Sequence, residues 1–463
     1  VLDTIFGILD PVMDPSREEV YEFLDLFFGE MRELFPDPYI HIGGDEVNAT
    51  HWEENKQIQE FANERGLEDA HALQAHFNNR LQKILAGHEK RMMGWDEISH
   101  PDLPGEGIVV QTWRNHASLW ESARMGHRAV LSAGYYLDYK QAAGYHYTVD
   151  PEVITGAVNV KIDSLNWKSW SCTLQVSDNS LEGALYLFGE GEELRGIMDL
   201  MGTAMGFEDA QLSDNLLSYS LETAFGTLRI EALLEGDSLL GNGKLALFNM
   251  QVEGIRNGGS DMELGEALPE FQTLEPLSPE EKELLIGGEA CMWSEMVDGR
   301  TMESRIWPRA AAVAEKLWSP AVLTTEMEDM YRRLMHLDDR LEQLGLLHRS
   351  YNQAILRDLA PAEYQKELRI LSRLLQEDEF FARMEIYDPQ LYTSMPLNRM
   401  VDAAPAESYE AYRFGQDVDA WVSSKDLLAK ERLENSLETW SNLHKRLSPA
   451  FEINPWLEDD QVE

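Results

Sequence analysis

The chain has 463 residues, enough for two or three domains with a sizeable core, and its 43% hydrophobic and 10% aromatic content is that of a globular protein. Its 83 Asp and Glu against 39 Lys and Arg give a formal net charge of -44, which repels nucleic acid and anionic membranes and argues against polyanionic substrates. No apolar run approaches the roughly 20 residues of a membrane span, and the two cysteines, Cys172 and Cys291, exclude a disulfide framework and a cysteine-rich zinc site while leaving room for one bridge.

The opening "VLDTIFGILDPVMDPS" holds no basic region followed by an apolar core, so no export signal is read in it. Ser16 with Glu19 has the pattern of a capping box, and the following "VYEFLDLFFGEMRELF" is apolar at helical spacing. The run "PYIHIGG", bounded by Pro and Gly, reads as a buried parallel strand. A helix "LQAHFNNRLQKILAGHEKR" follows, then "RMMGWDE", "GIVVQTW", a helix around "HASLWESARMG", and "HRAVLSAGYYLD". Much later come "ELLIGGEACMWSE" and "ESRIWPRAAAVAEKLW". Strand and helix take turns, which predicts a parallel sheet covered by helices.

Between them, residues 151–283 alternate apolar with polar positions between Gly, Asn and Asp turns, which predicts a β-rich, mostly antiparallel insertion, with one short helix near "EELRGIMDLMG". After Pro320 the chain is helical and charged. The fold class read from this is α/β. It consists of a partial (β/α)8 TIM-type barrel of about five strands from residues 1–150 and 284–345, the insertion at 151–283, and a C-terminal helical region at 346–463.

Each of the five strands ends in polar or aromatic residues: Asp45 and Glu46; Trp95, Asp96 and Glu97; Trp113; Tyr136 and Asp138; Trp293 and Glu295. Functional groups at the C-terminal ends of parallel strands are what a barrel active site requires. Adjacent residues of a regular strand point to opposite faces, so Asp45 and Glu46 share a site only if the strand stops there, and Gly43 with Gly44 permits the break. Two close carboxylates cannot both ionise freely, and the one whose pKa rises can act as a general acid. A plain solvated acidic pair fits the same two letters, and a metal ligated by His41, Asp45 and Glu46 is a third reading, weakened by the lack of a second histidine cluster. Trp95, Trp113 and Trp293 together favour the first, because aromatic walls bind sugar faces and methyl groups. No metal and no cofactor is assigned.

The motifs "HIGGDEV", "GWDE", "VQTW", "YYLD" and "GGEACMWSE", in this order, resemble the family 20 glycoside hydrolases, the β-N-acetylhexosaminidases, over about residues 1–150 and 283–345. The resemblance implies a retaining, exo-acting enzyme that removes terminal β-linked GlcNAc or GalNAc, with the substrate's own acetamido oxygen as nucleophile and an oxazolinium-like intermediate. It makes Glu46 the general acid/base, Asp45 the group that orients the acetamido nitrogen, and Tyr136 the hydroxyl that holds the acetamido carbonyl. It makes Trp95, Trp113 and Trp293 aromatic walls, and Asp138 and Glu295 ligands of sugar hydroxyls.

The family's barrel opens with three strands that carry an Arg, an Asp and a His of the site, and no motif for them precedes "HIGGDEV" in this sequence. Five strands alone leave two open edges and an uncovered apolar interior. A separate polypeptide, a second copy, or the insertion and C-terminal regions could cover them; the reading favours self-association, as a dimer that covers or completes the site, and leaves the location unassigned, with a lean to periplasmic or extracellular. The alternative is an amino-sugar-binding relative or subunit without full activity.

Overall fold

The computed structural model describes residues 12–454 and Leu457, apart from 153–159, 177–178, 201–202, 209, 224–225, 246–247, 263–266, 270–276, 295 and 376–396. The described residues gather into two compact units. One comprises Val1–Pro104, Leu131–Asp150 and Gly287–Glu463, the other Gly105–Val130 and Pro151–Ile286.

The first unit opens with α1 (Glu18–Leu34), whose residues Tyr21, Leu24 and Phe28 recur at helical spacing and are buried. Burying each such side chain contributes about 1.5–3 kcal/mol. The capping box expected from Ser16 and Glu19 does not form: the N-cap is Arg17, without a side-chain cap. Instead Asp14 Oδ1 accepts from both the amide (2.9 Å) and the hydroxyl (2.6 Å) of Ser16, which folds Ser16 into a local turn one residue ahead of the N-cap. After α1 comes β1 (Tyr39–His41), then α2 (Thr50–Glu54), α3 (Lys56–Arg65) and α4 (Ala70–Gly87). Asn55 caps α3 and Asp69 caps α4 through their side-chain oxygens, which sharpens both starts.

β1 pairs in parallel with β2 (Arg91–Trp95), Tyr39 opposite Arg91 and His41 opposite Met93. With β3 (Ile108–Thr112), β4 (Arg128–Leu131) and β14 (Leu285–Gly288) they make a five-stranded sheet in the order β1-β2-β3-β4-β14. β3 is buried at all five positions, the signature of a parallel strand covered on both faces. The fold is α/β, a partial (β/α) barrel with a β-rich insertion, as the strand-helix alternation predicts.

The second unit contains β3, α5 (His116–Arg124), most of β4, α7 (Pro279–Lys282) and nine antiparallel strands among its described residues. These are β5 (Trp167–Val176), β6 (Asn179–Phe188), β7 (Arg195–Leu200), β8 (Thr203–Phe207), β9 (Gln211–Ser213), β10 (Leu216–Thr223), β11 (Gly226–Glu235), β12 (Ser238–Leu245) and β13 (Phe248–Gly259). Their order is β8-β7-β6-β5-β13-β12-β11-β10-β9. The sheet curls over itself, since the ring of Phe207 on β8 stacks on Tyr219 of β10 at 4.1 Å, and the face so enclosed holds Trp170, Leu174, Leu185, Met198, Leu228 and Val252. The short helix expected near residues 192–202 is instead a turn at Gly191–Glu193 followed by β7. Gly196 explains it: a Cβ there would stand 2.4 Å from the Phe207 ring and 2.5 Å from the Tyr186 carbonyl, so the strand pairs as closely as glycine allows. Cys172 and Cys291 are both buried and form no disulfide, so the one bridge the count allowed is not formed.

The remaining helices belong to the first unit. α6 (Ala143–Thr148), α8 (Met302–Ile306), α9 (Arg309–Trp318) and α10 (Met327–Gln343) are followed by α11 (His348–Leu359) and α12 (Gln365–Ser372). Four more follow, at Met400–Ala403, Tyr409–Ser424, Leu427–Ser441 and Leu443–Ile453. Ala143, Tyr147, Ala312, Met330, Tyr331 and Leu334 form one core, against which Tyr409 and Tyr412 pack from the C-terminal region. Among the described residues no helix is long and apolar enough to cross a membrane.

Candidate active site

The stretch "HIGGDE" begins as a strand and ends as a break. The ladder with β2 continues past His41, with the Ile42 amide donating to the Met93 carbonyl (2.8 Å) and the Trp95 amide to the Gly43 carbonyl (3.0 Å). There the backbone turns over: Gly43 has φ 76°, Gly44 φ 97° and Glu46 φ 49°. Glycine tolerates this region freely and glutamate does not, so Glu46 carries backbone strain of about 1–3 kcal/mol. Gly44 is required twice, because a Cβ there would lie 2.4 Å from Ile98 Cγ2. Its carbonyl also accepts from Gln74 Nε2 of α4 at 2.7 Å, which ties the break to the covering helix.

Asp45 and Glu46 leave this break as exposed carboxylates. The Glu46 pKa is raised, first by partial burial and then by the charge of Asp45. That is the direction a general acid needs, and its second cause is the adjacency that the sequence displays.

β2 ends in Trp95, which is buried; its ring meets His41 edge-on at 5.1 Å and Trp293 at 6.0 Å. Trp293 follows β14, so the tips of strands three places apart in the sheet order come within ring contact, and the sheet is curved as in a barrel. Beyond β4 the chain stays beside β14: Tyr136 forms a parallel bridge with Cys291, the Leu137 amide donates to the Cys291 carbonyl (2.8 Å), and the Cys291 amide to the Tyr135 carbonyl (3.1 Å). Strand alternation sends Tyr135 into the core, its hydroxyl donating to the Val149 carbonyl at 2.8 Å, and leaves Tyr136 half-buried on the other side. The Trp293 side chain hydrogen-bonds the Tyr136 hydroxyl, the indole N–H being its only donor. Burial pushes the Tyr136 pKa well up, so it is a neutral hydrogen-bonding phenol and not a phenolate. Asp138, half-buried, is close enough for its charge to add to that rise.

The structure thus brings Trp95, Trp293, Tyr136 and Asp138 into one cluster at the strand tips, with His41 as an additional aromatic. Asp45 and Glu46 stand at the tip of the neighbouring strand of Trp95. Trp113 follows β3, half-buried, in the second unit. Glu295 lies outside the described residues. Among the described residues no three His, Cys, Asp or Glu side chains gather as for a metal ion.

Two functional supports were missed from the sequence, Arg309 and Gln74. Arg309 opens α9 and is completely buried, donating to the carbonyls of Leu137 (2.5 Å), Tyr139 (2.6 Å) and Gln141 (2.8 Å). It therefore grips the loop that carries Asp138. A signal existed: Arg309 stands in register with Ala312 and Val313 on the apolar stripe of α9, where a charge must find buried partners.

A curved parallel sheet with acids and aromatic rings at its C-terminal tips is the architecture of a (β/α) barrel. Residues 3–187 and 253–321, over half of the chain, match the catalytic domain of glycosyl hydrolase family 20, and the chain belongs to that family. It is 26% identical over 347 residues to β-hexosaminidase subunit alpha of Mus musculus, an alignment covering 73% of this chain and 43% of that protein. With β-hexosaminidase A of Caenorhabditis elegans the identity is 25% over 370 residues, covering 77% and 47%. The X-ray structure of Flavobacterium johnsoniae chitobiase superposes with a TM-score of 0.66 at 25% identity, covering 98% of this chain and 52% of that one. The chain spans about half the length of the relatives it matches.

Proposed function

We propose that the protein is a retaining exo-β-N-acetylhexosaminidase working by substrate-assisted catalysis. Glu46 protonates the glycosidic oxygen and then activates water; Asp45 orients the acetamido N–H and stabilises the oxazolinium-like intermediate. Tyr136 donates to the acetamido carbonyl, Trp95 and Trp293 enclose the methyl and the ring, and Asp138 holds a sugar hydroxyl. The observation that carries the reading is the break after β1. Three positive φ values in four residues turn two adjacent carboxylates out of the strand, and the Glu46 pKa is raised beside Asp45. A nucleophile that belongs to the substrate needs no second carboxylate across the sugar, which is why adjacent acids suffice.

The test is turnover of an aryl β-GlcNAc substrate by the purified chain, with Glu46→Gln lowering kcat by at least about 100-fold, the lower end of a general acid's range. Turnover equal in wild type and Glu46→Gln overturns the role of Glu46, and none in either overturns the enzyme and leaves an amino-sugar-binding relative. Self-association belongs to the same proposal. Its support is the outward face of α1, where Phe23, Leu26, Phe27 and Leu34 recur at helical spacing and are all exposed, Leu26 at 72%.

A further inference from the structure

We propose that Glu407, which lies beyond the family match, is a positioning residue for this site: it fixes the loop Leu137–Ala142, and with it Asp138 and Tyr136, by capping the first turn of α6. The inference rests on the reading above that Tyr136 and Asp138 face the sugar.

The loop is held at three places. Its start is fixed by the paired hydrogen bonds between Tyr135, Leu137 and Cys291. Its middle is gripped by Arg309 through three carbonyls. Its end runs into α6, whose N-cap residue, Ala142, has no side chain able to accept a hydrogen bond. Glu407 supplies the missing acceptor from the C-terminal region: its Oε2 accepts from the Ala143 amide at 2.6 Å. The next amide, that of Gly144, donates to the Tyr331 hydroxyl of α10 at 3.1 Å, and Tyr331 is itself hydrogen-bonded to Glu407. Two successive orphan amides are thereby satisfied by one buried carboxylate, directly and through a phenol.

The loop's own lysine is tied to the same region, Lys140 Nζ donating to the Val401 carbonyl at 2.5 Å. Glu407 is buried, and the Arg309 guanidinium gives it a favourable counter-charge. The Ala143 amide, Arg309 and Tyr331 offset part of the desolvation of this buried carboxyl, and its bonds to Ala143 and Tyr331 both serve the start of α6.

The test uses the full chain with Glu407→Ala, Glu407→Gln and Tyr331→Phe, each checked for native circular dichroism. Kinetics on the aryl β-GlcNAc substrate are read beside hydrogen exchange of the amides at 137–144. The expected result for Glu407→Ala is faster exchange there and a kcat lower by about tenfold or more with KM within about twofold, since small misplacements at a reacting centre cost rate before affinity. Glu407→Gln, whose amide oxygen still accepts from Ala143, should restore both, and Tyr331→Phe should show a weaker effect of the same sign. If Glu407→Ala does not fold, Tyr331→Phe decides. Exchange at 137–144 unchanged, or raised with kcat unchanged, overturns the positioning role. No turnover by the wild-type chain overturns the functional reading instead, and the exchange data still judge the brace.

Discussion

At the scale of single residues, the break after β1 combines covalent geometry with electrostatics. Asp45 contributes twice in the proposed mechanism, as the acetamido partner and as a charge that helps hold the Glu46 proton. Asp45→Asn removes a negative neighbour, so the Glu46 pKa falls toward the ordinary carboxylate value. The alkaline limb of the kcat/KM profile, which reports loss of the acid form, should move to lower pH while the whole profile drops; an unmoved limb would sink this coupling. Gly44 carries the geometry. Gly44→Ala forces a Cβ against Ile98 at a φ of +97°, and the unfolding free energy from urea denaturation should fall by about 1–3 kcal/mol, with activity falling further because Asp45 and Glu46 move. Much of this residue-level detail was legible. The glycine pair announced the break, and the aromatic residues that the structure gathers, Trp95, Tyr136 and Trp293, were readable as strand tips. Arg309, Glu407 and Tyr331 were not, because a single sequence shows a charge on an apolar stripe or an acid in a loop without showing which distant amide or carbonyl each meets.

At the scale of elements, alternation of apolar runs with amphipathic helices was enough to locate the parallel strands; β3 in the middle of the sheet is buried throughout, whereas β1, expected to be a buried strand, and β14 lie at its two edges and are half-buried or exposed. It failed where local competition decides. Asp14 folds Ser16 into a turn ahead of the helix start, and Gly196 lets a strand form where the apolar spacing suggested a helix. The α6 start shows a third case, a helix capped in space by Glu407 and Tyr331. Burial lifts the Glu407 pKa to about 7 from 4.5; the Ala143 amide, Arg309 and Tyr331 oppose the rise, and Asp338 adds to it. The folded chain therefore binds a proton that the unfolded chain releases near the ordinary value. The stability that follows is complete below the unfolded pKa of 4.5 and is lost as pH rises toward about 7, beyond which it is level. At about 1.4 kcal/mol per unit the span is roughly 3 kcal/mol. Glu407→Gln cannot ionise, so the difference in unfolding free energy between variant and wild type should grow in favour of the variant between pH 5 and 8. A constant difference across that range would show that Glu407 does not titrate there.

At the scale of the whole molecule, charge and apolar exposure act against each other. The outward α1 stripe together with Phe35 presents apolar area on the order of 500 Å², at the upper end for the largest patch of a monomer and short of the roughly 800 Å² per partner of a standard interface. A dimer built on it is therefore weak, and each copy brings a net charge of -44 to the contact. Repulsion of that size acts over a Debye length of about 30 Å at 0.01 M salt and about 3 Å at 1 M, so association should be suppressed at low salt and strengthen as salt rises. Sedimentation equilibrium across that range should show the weight-average mass climbing from that of the 52.9 kDa chain toward twice that value. Leu26→Glu, at a position already in water, should leave folding intact and abolish the climb by placing a charge inside the stripe. A chain that stays monomeric at every salt concentration would mean that the exposed face of α1 is not a self-contact, and the dimer would have to be abandoned while the active-site reading stood.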